Sequence, residues 1–262
     1  MRIALAQVVS STDSEDNLKL IDQYVRQAAE AGARLVVFPE AAMCRFGVPL
    51  GPVAEPLDGP WATRVRALAA DAGITVIAGM FTPADDGRVR NTLLVTGGGV
   101  ETSYDKIHLF DAFGFAESDT VAPGAEPVTV DIAGATIGLA TCYDVRFPGL
   151  FQELAGRGAS VIVLPASWGA GPGKRDQWDV LVRARALDAG AFVVACDQAD
   201  PTTVGGEAGK APTGIGASLV ADPFGAVVAQ LGAEPGLLVA DLDLDRAGTA
   251  RERTGVLANR RF

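Results

Sequence analysis

Two stretches of the chain, GARLVVFPEA at Gly32–Ala41 and GASVIVLPAS at Gly158–Ser167, are near-copies of one another. Each has a leading glycine, an aliphatic and β-branched run of strand length, and a proline near the end of that run. Their flanks repeat as well. RIALAQV at Arg2–Val8 lines up with TIGLATC at Thr136–Cys142, and DAGITVIAG at Asp71–Gly79 with DAGAFVVAC at Asp188–Cys196. The segments between these strands carry helical periods. From Glu15 to Ala31, Leu18, Ile21, Val25, Ala28 and Ala29 share one face, with Asp13 and Ser14 as capping candidates and Gly32 as the stop. Pro60 opens a second helix that carries Trp61, Val65 and Leu68 and ends near Gly73. NTLLVT and VETSYDK read as strands around the Gly97–Gly99 turn, and VTVDIAGATIGLATC as a hairpin turning at Ala133 and Gly134. A third helix is expected from about Pro148 to Ala155. Two similar β-α-β halves with no low-complexity linker predict one α/β domain over residues 1–262, with two sheets packed face to face and helices outside.

Composition excludes several functions. At 262 residues, the chain is long enough to bury roughly three quarters of its unfolded surface. Its 48% hydrophobic content is spread evenly, with no run near the ~20 apolar residues that a membrane helix needs. MRIALAQVVS alternates like a strand and lacks the h-region of a signal peptide, so the expected location is the cytoplasm. A net charge of -10 argues against a nucleic-acid partner, because neutralising phosphates needs a cationic face. Three cysteines, Cys44, Cys142 and Cys196, make no CxxC pair and no even set, which suggests neither a disulfide framework nor a zinc site. With one histidine, His108, a multi-histidine metal site is impossible and a Ser-His-Asp or Cys-His scheme has a single place to run.

The internal alignment separates what the architecture needs from what it does not. Glu40 falls opposite Ala166, and Cys142 falls opposite Val8. A small or apolar residue serves each of these strand ends in the other half, so the carboxylate and the thiol point to function. Cys142 has two readings: a small buried hydrophobe of an apolar strand, or a nucleophile exposed where an α/β strand gives way to polar Tyr143 and Asp144. Glu40 ends an apolar strand, where burial would raise a carboxyl towards neutrality and suit it to proton transfer; the alternative is a strand-end carboxylate paired with an arginine. Lys106, at the end of SYDK, is either a surface lysine or the cation facing an oxyanion. Lysines number only four, Lys19, Lys106, Lys174 and Lys210, a hint that a lysine here is present for what arginine cannot do. Cys44 lies in a loop close to Glu40 and is a candidate for the same pocket.

Together, PE at Glu40, DKIHL at Lys106 and CYD at Cys142 resemble the nitrilase superfamily of carbon-nitrogen hydrolases. LPASW at Leu164, QWDVLVRARALDAGAFVV at Gln177 and GASLVADPFGAVVA at Gly216 extend the likeness over essentially the whole chain. The resemblance implies a four-layer α-β-β-α sandwich with internal pseudo-duplication. It further implies Cys142 as nucleophile, Glu40 as general base, Lys106 and the Tyr143 backbone N–H as the oxyanion hole, and Glu117 in a supporting part. His108 is then a structural hydrogen-bonding residue. No metal or organic cofactor is implied.

The compact length and CYDVRFP are similar to the small amidase branch, which includes omega-amidases and deaminated glutathione amidases. The implied activity is hydrolysis of a small linear amide through a cysteine thioester, releasing a carboxylic acid and ammonia or an amine. N-carbamoyl hydrolysis and nitrile hydrolysis are the alternatives within the superfamily. A thiol redox sensor or a non-catalytic scaffold are the alternatives outside it. Substrate-contacting candidates are Arg45, Phe46, Phe113, Phe115, Arg146 and Trp168, each of which also reads as a core aromatic or a solvated arginine. Family members commonly dimerise, so a homodimer or larger even homo-oligomer is expected, through Phe147–Gly158 and the tail RERTGVLANRRF.

Overall fold

The computed structural model describes residues 1–207 and 209–261. In chain order its strands are β1 (Arg2–Gln7), β2 (Leu35–Val37), β3 (Thr75–Pro83), β4 (Val89–Gly97), β5 (Val100–Asp105), β6 (Thr129–Ile132), β7 (Ala135–Leu139), β8 (Val161–Ala166), β9 (Phe192–Asp197), β10 (Leu219–Ala221), β11 (Val227–Gln230) and β12 (Gly236–Asp241). The helices are α1 (Ser14–Glu30), α2 (Pro60–Ala72), α3 (Pro148–Gly156), α4 (Lys174–Ala189) and α5 (Asp245–Thr254). The first three begin and end close to where the sequence signals lie. Asp13 caps α1 by accepting from the N–H groups of Glu15 and Asp16, and Gly73 closes α2 in the left-handed conformation.

The strands form two six-stranded sheets, ordered β12-β1-β2-β3-β4-β5 and β6-β7-β8-β9-β10-β11. Both have an antiparallel first pair, two parallel pairs and two further antiparallel pairs. Their registers coincide. Ile3 pairs with Leu35 and Leu35 with Thr75 in one sheet; Ile137 pairs with Val161 and Val161 with Phe192 in the other. These are the residues that the sequence repeat sets opposite one another.

Strand alternation then builds the layers. Ile3, Leu5, Leu35, Val37 and Ile77 of the first sheet share one buried cluster with Ile137, Leu139, Val161, Val163 and Val194 of the second. The intervening residues face outward: Ala4, Val36 and Val76 pack with Leu18, Ile21 and Val25 of α1 and Trp61 and Val65 of α2. Ile162, Leu164 and Val193 pack with Phe151 and Leu154 of α3 and Trp178 and Val182 of α4. The result is the expected α-β-β-α sandwich. Among the described residues no helix is long and apolar enough to cross a membrane.

One strand is shorter than its sequence suggests. RLVVFPE reads as extended to Glu40, yet β2 ends at Val37. Pro39 has no N–H for a ladder, and the chain from Pro39 to Ala41 instead bends over β3. A Cβ on Gly79 would lie 2.6 Å from the Ala41 nitrogen and 2.9 Å from the Pro39 oxygen, so that crossing requires glycine. In the tail expected at a subunit contact, Arg251 turns inward to the carbonyls of Ala189 and Ala159. The last tail residue, Phe262, lies outside the described residues.

Candidate active site

The strand ends expected to carry chemistry meet in one cavity of about 320 Å³, whose lining includes Glu40, Lys106, Glu117, Cys142, Tyr143 and Ser167. Its walls are mostly apolar, with Phe46, Val48 and Leu50 from the loop after β2, Phe115 and Val121 from the loop after β5, and Trp168 after β8.

Cys142 follows β7 in a single 3-10 turn, Cys142–Arg146. Its φ is 46°, a left-handed conformation that a residue with a Cβ adopts only where the surroundings enforce it. Asp144 does much of the enforcing. Its Oδ2 accepts from the Thr141 N–H at 2.8 Å and the Tyr104 hydroxyl at 2.7 Å. Its Oδ1 accepts from the His108 N–H at 3.0 Å and lies 2.7 Å from His108 Nδ1. The His108 ring stacks on Phe147 with centroids 3.8 Å apart. His108 therefore clamps the turn holding the thiol to the segment that follows Lys106, as its structural reading expects.

Beside the thiol lies a buried network of charges. Lys106, only 2% exposed, donates from Nζ to Glu40 Oε1 at 3.0 Å and to Glu117 Oε2 at 2.9 Å. Glu40, 1% exposed, also accepts from Asn91 Nδ2 at 2.7 Å on Oε1 and from the Ser167 N–H at 2.9 Å on Oε2. Glu117 takes the Phe110 N–H at 2.6 Å, which fixes the loop after β5. Burial opposes the charge of Lys106, but Glu40 and Glu117 outweigh it and hold the ammonium well above the usual lysine range. Burial likewise pushes the Cys142 thiol well above its ordinary range; Glu40 pushes it further, and Lys106 pulls the other way. The resting site thus joins a protonated thiol, a fixed carboxylate and a permanent cation, groups able to supply a nucleophile, a proton acceptor and charge stabilisation.

The outer part of the cavity holds two more cations. Arg146 donates to Gln177 Oε1 at 2.7 Å and sits 5.5 Å from the Trp168 ring. The Lys174 ammonium lies 3.7 Å from the Phe113 ring centroid, and burial together with the neighbouring Arg146 lowers its pKa. Among the described residues neither takes part in an ion pair. A second hollow of about 390 Å³ adjoins the first through Phe110, Phe115 and Lys174.

Most, not all, of the expected contact residues line this space. Phe46, Phe115, Arg146 and Trp168 line the cavity itself, and Phe113 lines the adjoining hollow. Arg45 does not: it is exposed, with its guanidinium on the Phe46 carbonyl at 3.1 Å, because Phe46 and not Arg45 is the side chain that the loop turns inward. Cys44 is also outside the lining, packed against Ala41, Phe81, Val89 and Val121, and Cys196 belongs to the core between the sheets. Asn91, Ser167 and Lys174 were not legible as site residues. For Asn91 a signal exists, an amide at the head of the apolar run TLLVT where asparagine is disfavoured. Ser167 acts through its backbone and leaves no signal in the residue type.

A thiol, a carboxylate and a buried lysine thus stand together at the strand ends of a doubled α-β-β-α sandwich, the fold and functional groups of a hydrolase. The family model for carbon-nitrogen hydrolases matches residues 2–252, and the chain belongs to that family, within the nitrilase superfamily. It is 59% identical over 266 residues to Hydrolase Rv0480c of Mycobacterium tuberculosis, covering 99% of this chain and 95% of that protein. It is 35% identical over 267 residues to the deaminated glutathione amidase of Escherichia coli O157:H7, covering 100% and 98%. Among solved structures, the amidase from Nesterenkonia sp. AN1 with acrylamide added at its active-site cysteine superposes with a TM-score of 0.80 at 29% identity, covering 97% of this chain and 98% of that one. The protein is an amidase-like carbon-nitrogen hydrolase.

Proposed function

We propose that the protein hydrolyses the terminal amide of a small linear acid, in the manner of an omega-amidase, through a thioester on Cys142. The observation that carries this reading is the convergence of Cys142, Glu40, Lys106 and Glu117 on one cavity. Glu40 takes the thiol proton as sulfur attacks the amide carbonyl. Lys106 and the Tyr143 backbone N–H face the oxygen on which charge develops. Glu40 then returns the proton to the departing nitrogen, leaving a thioester and ammonia or an amine. Water enters, gives a proton to Glu40 and attacks the thioester; the acid departs and Cys142 regains its proton. Glu117 supports the cycle by holding Lys106, with which it pairs at 2.9 Å.

Arg146 and Lys174 supply the preference for an acid. Two neighbouring cations that pair with no carboxylate among the described residues, in a chain of net charge -10, favour a substrate whose far end is anionic. Cys44 and Cys196 pack in apolar clusters other than the one that holds Cys142, which disfavours a redox role that needs a neighbouring thiol to resolve an oxidised Cys142.

The test is ammonia release from α-keto acid ω-amides, glutamine analogues, simple aliphatic amides and N-carbamoyl compounds, by the parent protein and by Cys142→Ala. An ω-amide of a dicarboxylic acid should be turned over fastest, and Cys142→Ala should fall to background. Equal rates for parent and variant remove the thioester mechanism. A neutral aliphatic amide outpacing every acidic one removes the role of Arg146 and Lys174.

A further inference from the structure

The comparison of strand ends flags a third departure, away from the groups just described. Register carries Thr75 onto Phe192, and therefore Met80 onto Asp197. Both are 0% exposed. Met80 packs in the apolar cluster under α1 and α2, so a hydrophobe suffices at this place in the fold. The other half instead buries a carboxylate, which is unfavourable unless something compensates it.

What surrounds Asp197 is backbone. Oδ1 accepts from the Trp168 N–H at 2.8 Å and Oδ2 from the Ile215 N–H at 2.9 Å. Among the described residues it joins no ion pair. Burial pushes its carboxyl well above the usual range, and Glu40 adds to that. The two segments it holds both belong to the cavity. Trp168 lines the wall directly. One residue earlier, Ser167 donates its N–H to Glu40 Oε2 at 2.9 Å, its carbonyl oxygen lies 3.9 Å from Cys142 Sγ, and its hydroxyl donates to the Pro212 carbonyl at 2.8 Å. Pro212 itself lines the cavity.

We propose that Asp197 is a positioning residue: by anchoring the Ser167–Trp168 segment, it aims the Ser167 N–H at Glu40 and fixes that carboxylate beside Cys142. Among the described residues, Glu40 is held at one oxygen by Lys106 and Asn91 and at the other by the Ser167 N–H. Releasing the 167–168 segment therefore leaves the carboxylate free to swing about its Lys106 contact. This role rests on Glu40 and Cys142 being the reacting pair, not on the identity of the amide.

The test uses p-nitrophenyl acetate, whose acylation of Cys142 releases nitrophenolate without any amide being turned over. Asp197→Asn keeps the size but turns an N–H₂ towards one of the two donors. Acylation should slow about 30-fold, in line with a sub-ångström misplacement of a reacting group. In a Glu40→Asp background, where the carboxylate is already displaced, the same change should slow it less than about 3-fold. Equal losses in the two backgrounds overturn the proposal, since a purely structural role acts on both alike. So does a rate within about 2-fold of the parent in Asp197→Asn alone. If Asp197→Asn does not fold, Asp197→Ser, which retains one acceptor oxygen, is read against the same two criteria. Absence of ammonia release from every amide, with acylation still slowed as described, would sink the amidase reading and leave this one standing.

Discussion

The two halves of the molecule share strand order, register and helical cover, yet differ at nearly every strand end that faces the cavity. After β2 the chain carries Glu40, whereas β8 itself ends on Ala166; after β7 it carries Cys142, and after β1 it carries Val8. Val8 and Ala166 are buried in the two outer apolar clusters, so the scaffold packs well with hydrophobes at both places. The fold is indifferent to the chemistry mounted on it. A second difference is in the backbone. Gly79 lets the Pro39–Ala41 segment cross β3, while its counterpart Cys196 occupies the core between the sheets. The half that carries the carboxylate has therefore given up a side chain to lift Glu40 off its strand.

Making the halves alike is the strongest way to break that contrast. Glu40→Ala installs the residue that the second half uses, and Lys106 keeps Glu117 as a partner; the variant should fold with little change in melting temperature. Turnover should fall by about 10²- to 10⁴-fold, the range for loss of a positioned base. A folded variant with parental kcat/KM would remove Glu40 from the mechanism. Next comes Lys106→Met, expected to lower kcat by about 10²- to 10³-fold, comparable to losing an oxyanion donor. If kcat holds and only KM rises, the lysine binds substrate and does not stabilise the transition state.

The backbone difference gives a smaller effect. In Gly79→Ala the new methyl meets the Ala41 nitrogen, so stability should drop by about 1–3 kcal/mol and turnover should drop with it as Glu40 shifts. Cys196→Ala, at the matching position, should lower stability by roughly 1 kcal/mol and leave turnover unchanged. Denaturant midpoints and initial rates of the pair decide this, and equal activity losses would show that Gly79 is no more tied to the site than Cys196.

The smallest effect is on ionisation. Burial first, and Glu40 second, push the Cys142 thiol up, so its alkylation by iodoacetamide should keep rising with pH past the ordinary thiol range. Removing the Glu40 charge removes one of those two causes. The profile of Glu40→Ala should move to lower pH while staying above that of a free cysteine. A shift to higher pH would mean that Glu40 favours the thiolate in the resting enzyme.

Much of this was legible in the sequence because it is local. Strand periods, the Asp13 cap and the Gly73 stop are each decided within a few residues, and the repeat fixed register because pairing slips turn a hydrophobic face outward. The same repeat singled out Glu40 and Cys142 before any contact was known. Arg45 misled because adjacent residues in an irregular loop have no period to say which one points inward. Asn91 and Lys174 went unassigned for the complementary reason: each left a weak mark in its residue type, an amide heading an apolar strand and a scarce lysine, but nothing local says which site it joins.

Sequence by itself thus determined the duplicated α/β plan, the strand ends and the identity of the thiol, carboxylate and lysine. Tertiary structure decided that Glu117 and Asn91 share the Glu40 and Lys106 network, that Ser167 reaches Glu40 through its N–H, and that Arg146 and Lys174 stand together in the outer cavity. The physical reason is distance along the chain. Glu40 and Ser167 are 127 residues apart, and no local preference encodes a hydrogen bond that exists only once two sheets have stacked.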